Sequence, residues 1–327
     1  MDEYIDFTVT ANALAEAAGR AVGGLINKCI KNNNFRYDTY TKLYNSCVVP
    51  VMDYSAGVWG YSNYNKPNTV HNRAIRSFLG VHKYTSNIAI NGDVGWTPPA
   101  VRRKIEMLKL FNRLMHLDKD RLTYRIFKWD WSHKNKTWGW SIRRILKDAN
   151  LDIHIDLNMP YDNFDSVIQE VHEQLMLKEV DKWKKDLLSQ SKLRFYRTFK
   201  TEFETEKYVK SCYSKSNRSF IAQIRSGVLP LKVEVGRFTH IPAEQRICDI
   251  CKASVEDELH FIFQCPVYEN LRTDLFNHVS QLYDITNMEE TEMLRIFMCE
   301  DKVVNKFANF IRNCFLKRNS LLYNSVS

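Results

Sequence analysis

Cys248-Asp249-Ile250-Cys251-Lys252-Ala253-Ser254-Val255-Glu256-Asp257-Glu258-Leu259-His260-Phe261-Ile262-Phe263-Gln264-Cys265 reduces to the pattern Cys-x2-Cys-x8-His-x4-Cys. A two-residue gap lets two thiolates converge from one tight turn. The second gap returns His260 and Cys265 to the same place from a helix or a wide turn. Three thiolates and one imidazole form a tetrahedral ligand set for Zn²⁺, and four protein ligands leave no open position for water. The expectation is therefore one structural Zn²⁺ held by Cys248, Cys251, His260 and Cys265, stapling a short segment that has few apolar side chains of its own. Four unrelated buried residues would leave the paired spacings without a cause.

Outward from this segment the chain reads as helix after helix. The stripe Leu14, Ala17, Ala18, Ala21, Val22, Leu25, Ile26 follows a 3.6-residue period behind Thr10. A second helix is expected from Asp38 to Val49, ending near Pro50. A third runs from Pro67 to Leu79 with Gly80 behind it. Gly92 to Pro99 has turn chemistry and reads as a separator between subdomains. Further helices are expected over 101–117, 164–188, 219–227, 268–283 and 303–322, with a short extended piece over 229–238. The fold class is mainly α: helical bundle segments with a small zinc-stapled module near the C-terminus. Four segments result: a helical region 1–97, a basic helical region 98–235, the CCHC module 236–275 and C-terminal helices 276–327.

The formal charge is +9, and its distribution is uneven. Between Val101 and Ala149 there are 14 Lys/Arg against 5 Asp/Glu, interleaved with Trp129, Trp131, Trp138 and Trp140. Between Trp183 and Arg218 there are 10 against 4, among Phe195, Tyr196, Phe199, Phe203, Tyr208 and Tyr213. Cations concentrated beside aromatic rings suit a polyanion whose bases stack, so RNA or single-stranded DNA is the expected partner. The residues expected at phosphates are Arg102, Arg103, Lys104, Arg125, Lys128, Arg143, Arg144, Lys184, Lys185, Arg194 and Arg197. For any one tryptophan the competing assignment is a place in the core, with the charges on the solvated helix face. No apolar run is long enough to span a membrane, and the Met-Asp-Glu-Tyr start has no signal-peptide character. With the other five cysteines spaced singly, an intracellular, reducing setting is expected.

The segment Glu244-Gln245-Arg246-Ile247-Cys248-Asp249-Ile250-Cys251, then Val255-Glu256-Asp257-Glu258-Leu259-His260 and Cys265-Pro266-Val267-Tyr268, resembles the zinc-binding segment behind the polymerase of non-LTR (LINE-type) retrotransposon reverse transcriptases. Ser46 to Tyr54 with Gly57-Val58-Trp59-Gly60, and His71 to Gly80, are similar to the thumb-like helices of that family. The resemblance implies template binding and a polymerase domain supplied separately. It brings no catalytic centre, because a polymerase needs an Asp-Asp pair to hold Mg²⁺ and this chain has none. The expected function is non-catalytic binding of RNA or single-stranded DNA. A zinc-stabilised protein-interaction module and a non-functional retroelement remnant are the alternatives. Asp53 is expected to be structural, as a cap. Glu256-Asp257-Glu258 is expected to be a solvated turn, with tuning of the metal ligands as the alternative. Among Phe261, Phe263 and Tyr268, one ring could be left exposed for a base, and the other eight histidines have no ligand spacing.

Overall fold

The computed structural model describes residues 7–133, 136–151, 155, 157, 163–212 and 214–324; Lys134, His154 and Tyr213 lie outside them. In chain order the helices are α1 (Thr8–Lys31), α2 (Tyr37–Leu43), α3 (Val49–Met52), α4 (Ala56–Trp59), α5 (Asn65–Leu79), α6 (Asn87–Val94), α7 (Pro99–Met115) and α8 (Leu122–Ser132). Then come α9 (Trp138–Asp148), α10 (Phe164–Ser189), α11 (Lys207–Ser211), α12 (Lys215–Arg225), α13 (Lys232–Phe238), α14 (Glu269–Ser280), α15 (Glu290–Cys299) and α16 (Asp301–Asn324). Among the described residues there is no strand, only one antiparallel bridge between Ile247 and Val255. The protein is mainly α. No described helix is long and apolar enough to cross a membrane.

Two compact units form, each from three separated stretches. One comprises Met1–Asn27, Thr41–His71 and Thr97–Lys182; the other Lys28–Tyr40, Asn72–Trp96 and Trp183–Ser327. These units cut across the four consecutive segments expected from the sequence, because each recruits partners from distant parts of the chain.

In the first unit α7 is the organising helix. Val101, Leu108, Phe111 and Met115 recur at helical spacing and are all buried. Phe111 sits at ring-centroid distances of 5.5 Å from Phe127, 5.0 Å from Trp131 and 5.4 Å from Phe164, joining α7, α8 and α10 in one aromatic core. Near Pro50 the chain does not stop, as the sequence suggested. It widens into a π-helical turn over Tyr44–Val48 and continues as α3. Proline lacks the N–H for the ordinary helical bond and its ring crowds the preceding turn, and a wider turn relieves that crowding.

In the second unit α16 packs against α11, α12, α14 and α15. Within the expected separator, Gly92 to Val94 are the end of α6, closed by Gly95 at φ +64°, and the division between the two units falls just beyond, between Trp96 and Thr97. Asp93 is 2% exposed and accepts hydrogen bonds from Tyr196 Oη (3.0 Å), Tyr208 Oη (2.7 Å) and Arg225 (2.8 and 3.2 Å). Arg225 is also ion-paired to Glu206 at 3.1 Å, and Glu206 to Lys200. Both Asp93 oxygens are satisfied, so the carboxylate can be buried with its partners, while one Arg225 amino group, NH1, is left without a hydrogen bond. The piece over 229–238 is also not extended: Val233 and Val235 lie in α13. Its first N–H groups are capped from a distance, Lys232 N donating to Glu256 Oε2 (2.8 Å) and Val233 N to Glu256 O (3.0 Å). That tertiary cap overrides the extended preference of the β-branched residues.

Candidate metal centre and basic surface

Cys248 and Cys251 occupy the turn of a short hairpin. Cys248 N donates to Ser254 O (2.8 Å), Glu256 N to Arg246 O (2.9 Å), and Lys252 N closes the turn onto Cys248 O (3.0 Å). Lys252 takes the left-handed φ of +56° that such a turn demands. Asp257 then caps the next element, its Oδ1 accepting from His260 N at 2.9 Å. His260–Gln264 is a single π-helical turn, closed by Cys265 N donating to His260 O at 2.8 Å. The i→i+5 bond from Cys265 N to His260 O explains the x4 gap, because it draws Cys265 back beside His260.

The Sγ atoms of Cys248, Cys251 and Cys265 and a ring nitrogen of His260 lie within 4.8 Å of one another. In a tetrahedral site with metal–sulfur bonds of about 2.3 Å, donor atoms stand about 3.8 Å apart. The group can hold one metal ion. His260 Nε2 is 3.3 Å from Cys251 Sγ, and Nδ1 lies 2.7 Å from Ser254 Oγ. With Nδ1–H donating to the serine, Nε2 keeps its lone pair toward the thiols. Burial holds the His260 pKa below its usual value, favouring the neutral imidazole that a metal requires. Burial raises the Cys248 thiol and pushes Cys265 up to about 12. Burial also acts on Cys251, but hydrogen bonds from the Ala253 and Ser254 backbone and the neighbouring thiols outweigh it and lower its pKa. A bound cation favours the thiolate at all three.

The acidic triplet is not a solvated turn. Glu256 is 1% exposed, with Arg318 Nε and NH2 of α16 donating to its two oxygens at 2.6 and 2.7 Å. Glu258 is also buried, and accepts from Arg194 at 2.9 Å. Arg272, buried on α14, donates to Ile262 O (2.9 Å) and Cys265 O (2.8 Å), fastening the π turn from behind. Phe261 and Tyr268 are buried against each other at 5.1 Å. Phe263 stacks on Phe297 at 5.8 Å. Phe261 and Tyr268 have no face left for a base, and Phe263 is half-buried with one face on Phe297. The segment has an apolar core after all, borrowed from α14 to α16.

The expected phosphate-binding residues divide sharply. Arg103 is 0% exposed, 3.7 Å from Asp53, with its guanidinium over the rings of Trp59 (5.5 Å) and Tyr64 (5.6 Å). It has no surface to offer a strand, and that expectation is corrected. Arg102 is committed inward as well, to Asp53 Oδ2 (3.1 Å) and Thr97 O (3.0 Å). Asp53 is thus structural: it stands at the C-cap of α3, its N–H donating to Val49 O, and its carboxylate is the partner of two arginines. Lys104 lies 4.0 Å from Asp148. Arg143 stacks on Trp131 at 3.9 Å and donates to His133 O at 3.3 Å. Arg197 donates to Leu188 O at 2.9 Å, and Lys184 faces Glu202 at 3.4 Å. Exposed in the structure are Arg125, Lys128, Arg144, Lys184, Lys185 and Arg194.

The tryptophans also divide. Trp131 and Trp138 pack on Phe111, and Trp138 Nε1 donates to Gly57 O at 2.8 Å. Trp129 is 63% exposed on α8, in a groove of about 590 Å³ lined by three cations (Lys119, Arg125 and Lys128) and one acid, Asp120. Periodicity identifies it, since Tyr124 and Phe127 claim the buried face of α8 and leave Trp129 on the other. Comparison with family models, curated proteins and solved structures gives no match for this chain.

Proposed function

We propose that this protein binds RNA or single-stranded DNA without catalysis, and that Cys248, Cys251, His260 and Cys265 hold one structural Zn²⁺. The observation that carries the binding proposal is the exposed indole of Trp129 between Arg125 and Lys128 in an open basic groove. A base stacked on an aromatic ring contributes about 1–3 kcal/mol whatever its identity, and flanking cations neutralise the adjoining phosphates. A sulfur-rich set with one imidazole selects zinc among the divalent ions by softness and tetrahedral preference. Four ligands leave the ion no substrate position, so its part is to brace the hairpin and π turn. The resemblance to the C-terminal region of non-LTR reverse transcriptases supports a strand-binding role beside a separately supplied polymerase domain.

The test is fluorescence-anisotropy titration of the full chain with a labelled single-stranded RNA at two salt concentrations, with metal content assayed alongside. Binding that weakens steeply with salt, and falls about 5- to 150-fold in Trp129→Ala, is expected. No binding at low salt refutes the proposal. A protein-interaction role is the second reading, favoured by Leu122 (69% exposed) and Ile126 (57% exposed) on α8. Retained RNA binding in a Leu122→Ser/Ile126→Ser variant argues against the need for that stripe in strand binding.

A further inference from the structure

The first unit contains a second aromatic site, distinct from the Trp129 groove. A cavity of about 650 Å³ opens between α4, α7 and α9, walled by Trp59, Tyr61, Tyr64, Trp138 and Trp140. We propose that it receives one unpaired nucleobase of a bound strand; the proposal rests on the nucleic-acid reading above and adds to it a site that recognises bases as bases.

The walls fall into two chemical classes. Trp59 Nε1 donates to Tyr54 O (2.9 Å), Trp138 Nε1 to Gly57 O (2.8 Å) and Tyr64 Oη to Trp59 O (3.4 Å), so these rings are tied to backbone and rigid. Tyr61 and Trp140 meet edge to face at 5.8 Å and are only half-buried. Among the described residues the polar edges of Tyr61 (Oη) and Trp140 (Nε1), and the neighbouring Ser141 Oγ, have no protein partner. A pocket of rigid rings with a few unspent polar groups at one side suits a flat heterocycle that has acceptors on its edge. An aliphatic chain would use the rings and waste the donors.

Charge narrows the class further. Lys136 lines the cavity, exposed Arg144 lies over the Trp140 ring at 5.6 Å, and no lining residue is acidic. The Arg103 guanidinium lies buried against Trp59 and Tyr64, whose rings face the cavity. A cationic guest of the kind that aromatic cages take would meet three positive charges. A base carried on a phosphate chain meets complementary ones: the ring enters, and its 5′ and 3′ phosphates rest on the cationic rim.

The experiment uses the full chain and two labelled single strands of equal length and charge. One is an RNA carrying 2-aminopurine; the other is an abasic sugar-phosphate strand. The parent is expected to bind the base-containing strand about tenfold or more tighter than the abasic one and to quench 2-aminopurine. Trp140→Ala, and Ser141→Trp, which fills the cavity while keeping its walls, should each reduce that difference about tenfold, leaving the part that stacking on Trp129 supplies and Trp129→Ala removes, and leave abasic binding unchanged. Circular dichroism melting confirms the fold, and Ser141→Trp decides the matter where Trp140→Ala melts early. Equal affinity of the parent for both strands, or an undiminished difference in Ser141→Trp, overturns the base pocket while strand binding stands. Binding of neither strand overturns the nucleic-acid reading, and the pocket assignment with it.

Discussion

Glu256→Ala should be among the most damaging single changes in the second unit, although Glu256 ligates nothing. Its side chain is 1% exposed and that of Arg318 is 8% exposed, with two charge-assisted bonds of 2.6 and 2.7 Å between them. Truncating the carboxylate leaves the Arg318 guanidinium buried without its partner, a loss of about 3–5 kcal/mol. The N–H of Lys232 loses its acceptor too, which adds about 1 kcal/mol. Urea unfolding followed by far-UV circular dichroism reads the loss as a lowered midpoint at unchanged slope. Glu256→Leu combined with Arg318→Met replaces both charges by apolar groups, and should cost less than Glu256→Ala alone. Metal binding should persist in Glu256→Ala at saturating zinc, since the four ligands are untouched. A cost below about 1 kcal/mol for the single variant, or strictly additive costs in the pair, would refute the claim that a buried ion pair ties the metal segment to α16.

Three further outcomes follow from particular residues. Cys251→Ser should drop bound metal from about one equivalent to near zero and open residues 246–268 to proteolysis; full metal retention by mass spectrometry would exclude Cys251 as a ligand. His71 is buried, and burial followed by the nearby Arg102 charge holds its pKa well below 6.5. As pH falls below 6.5, the unfolded chain gains a proton that the folded chain refuses, so stability declines by up to about 1.4 kcal/mol per pH unit from this group. That slope should shrink in His71→Gln, and identical pH profiles between 6.5 and 5 would contradict the assignment. Gly95→Ala places a Cβ 2.7 Å from Thr205 N at a φ of +64°. It should cost about 1–3 kcal/mol in thermal melting, and an unchanged Tm would show that the turn has room.

Helices α1, α5, α7, α10, α12, α14 and α16 were legible because their evidence is local, whereas α6, α8, α9 and α15 were not among the expected helices. The spacing of Val101, Leu108, Phe111 and Met115 names the buried face of α7 without reference to anything distant. The cluster of Cys248, Cys251, His260 and Cys265 was legible for a similar reason: tight turns reach only a few residues, so Cys-x2-Cys and His-x4-Cys restrict where their donors can point. Even there, the π turn that makes a five-residue step productive was not visible in residue types. The extended preference of Val233 and Val235 misled, since nothing nearby reveals that Glu256 caps α13 from 24 residues away.

Charge is where the sequence stopped short. Arg103 and Arg125 are the same residue type on basic helices; one is sealed against Trp59, Tyr64 and Asp53 and the other stands in solvent. Asp93 and Arg225 are buried together with the Tyr196 and Tyr208 hydroxyls on Asp93, a place that residue type alone does not assign. An ionised group can be buried only when opposite charge and hydrogen bonds arrive with it. Those partners come from elements more than a hundred residues apart, such as Asp93 and Arg225. The amino-acid order therefore determined the longest helices, the Cys/His cluster and the total charge. Tertiary packing alone decided which charges were spent inside the fold and which remained exposed, because burial depends on partners brought together through space.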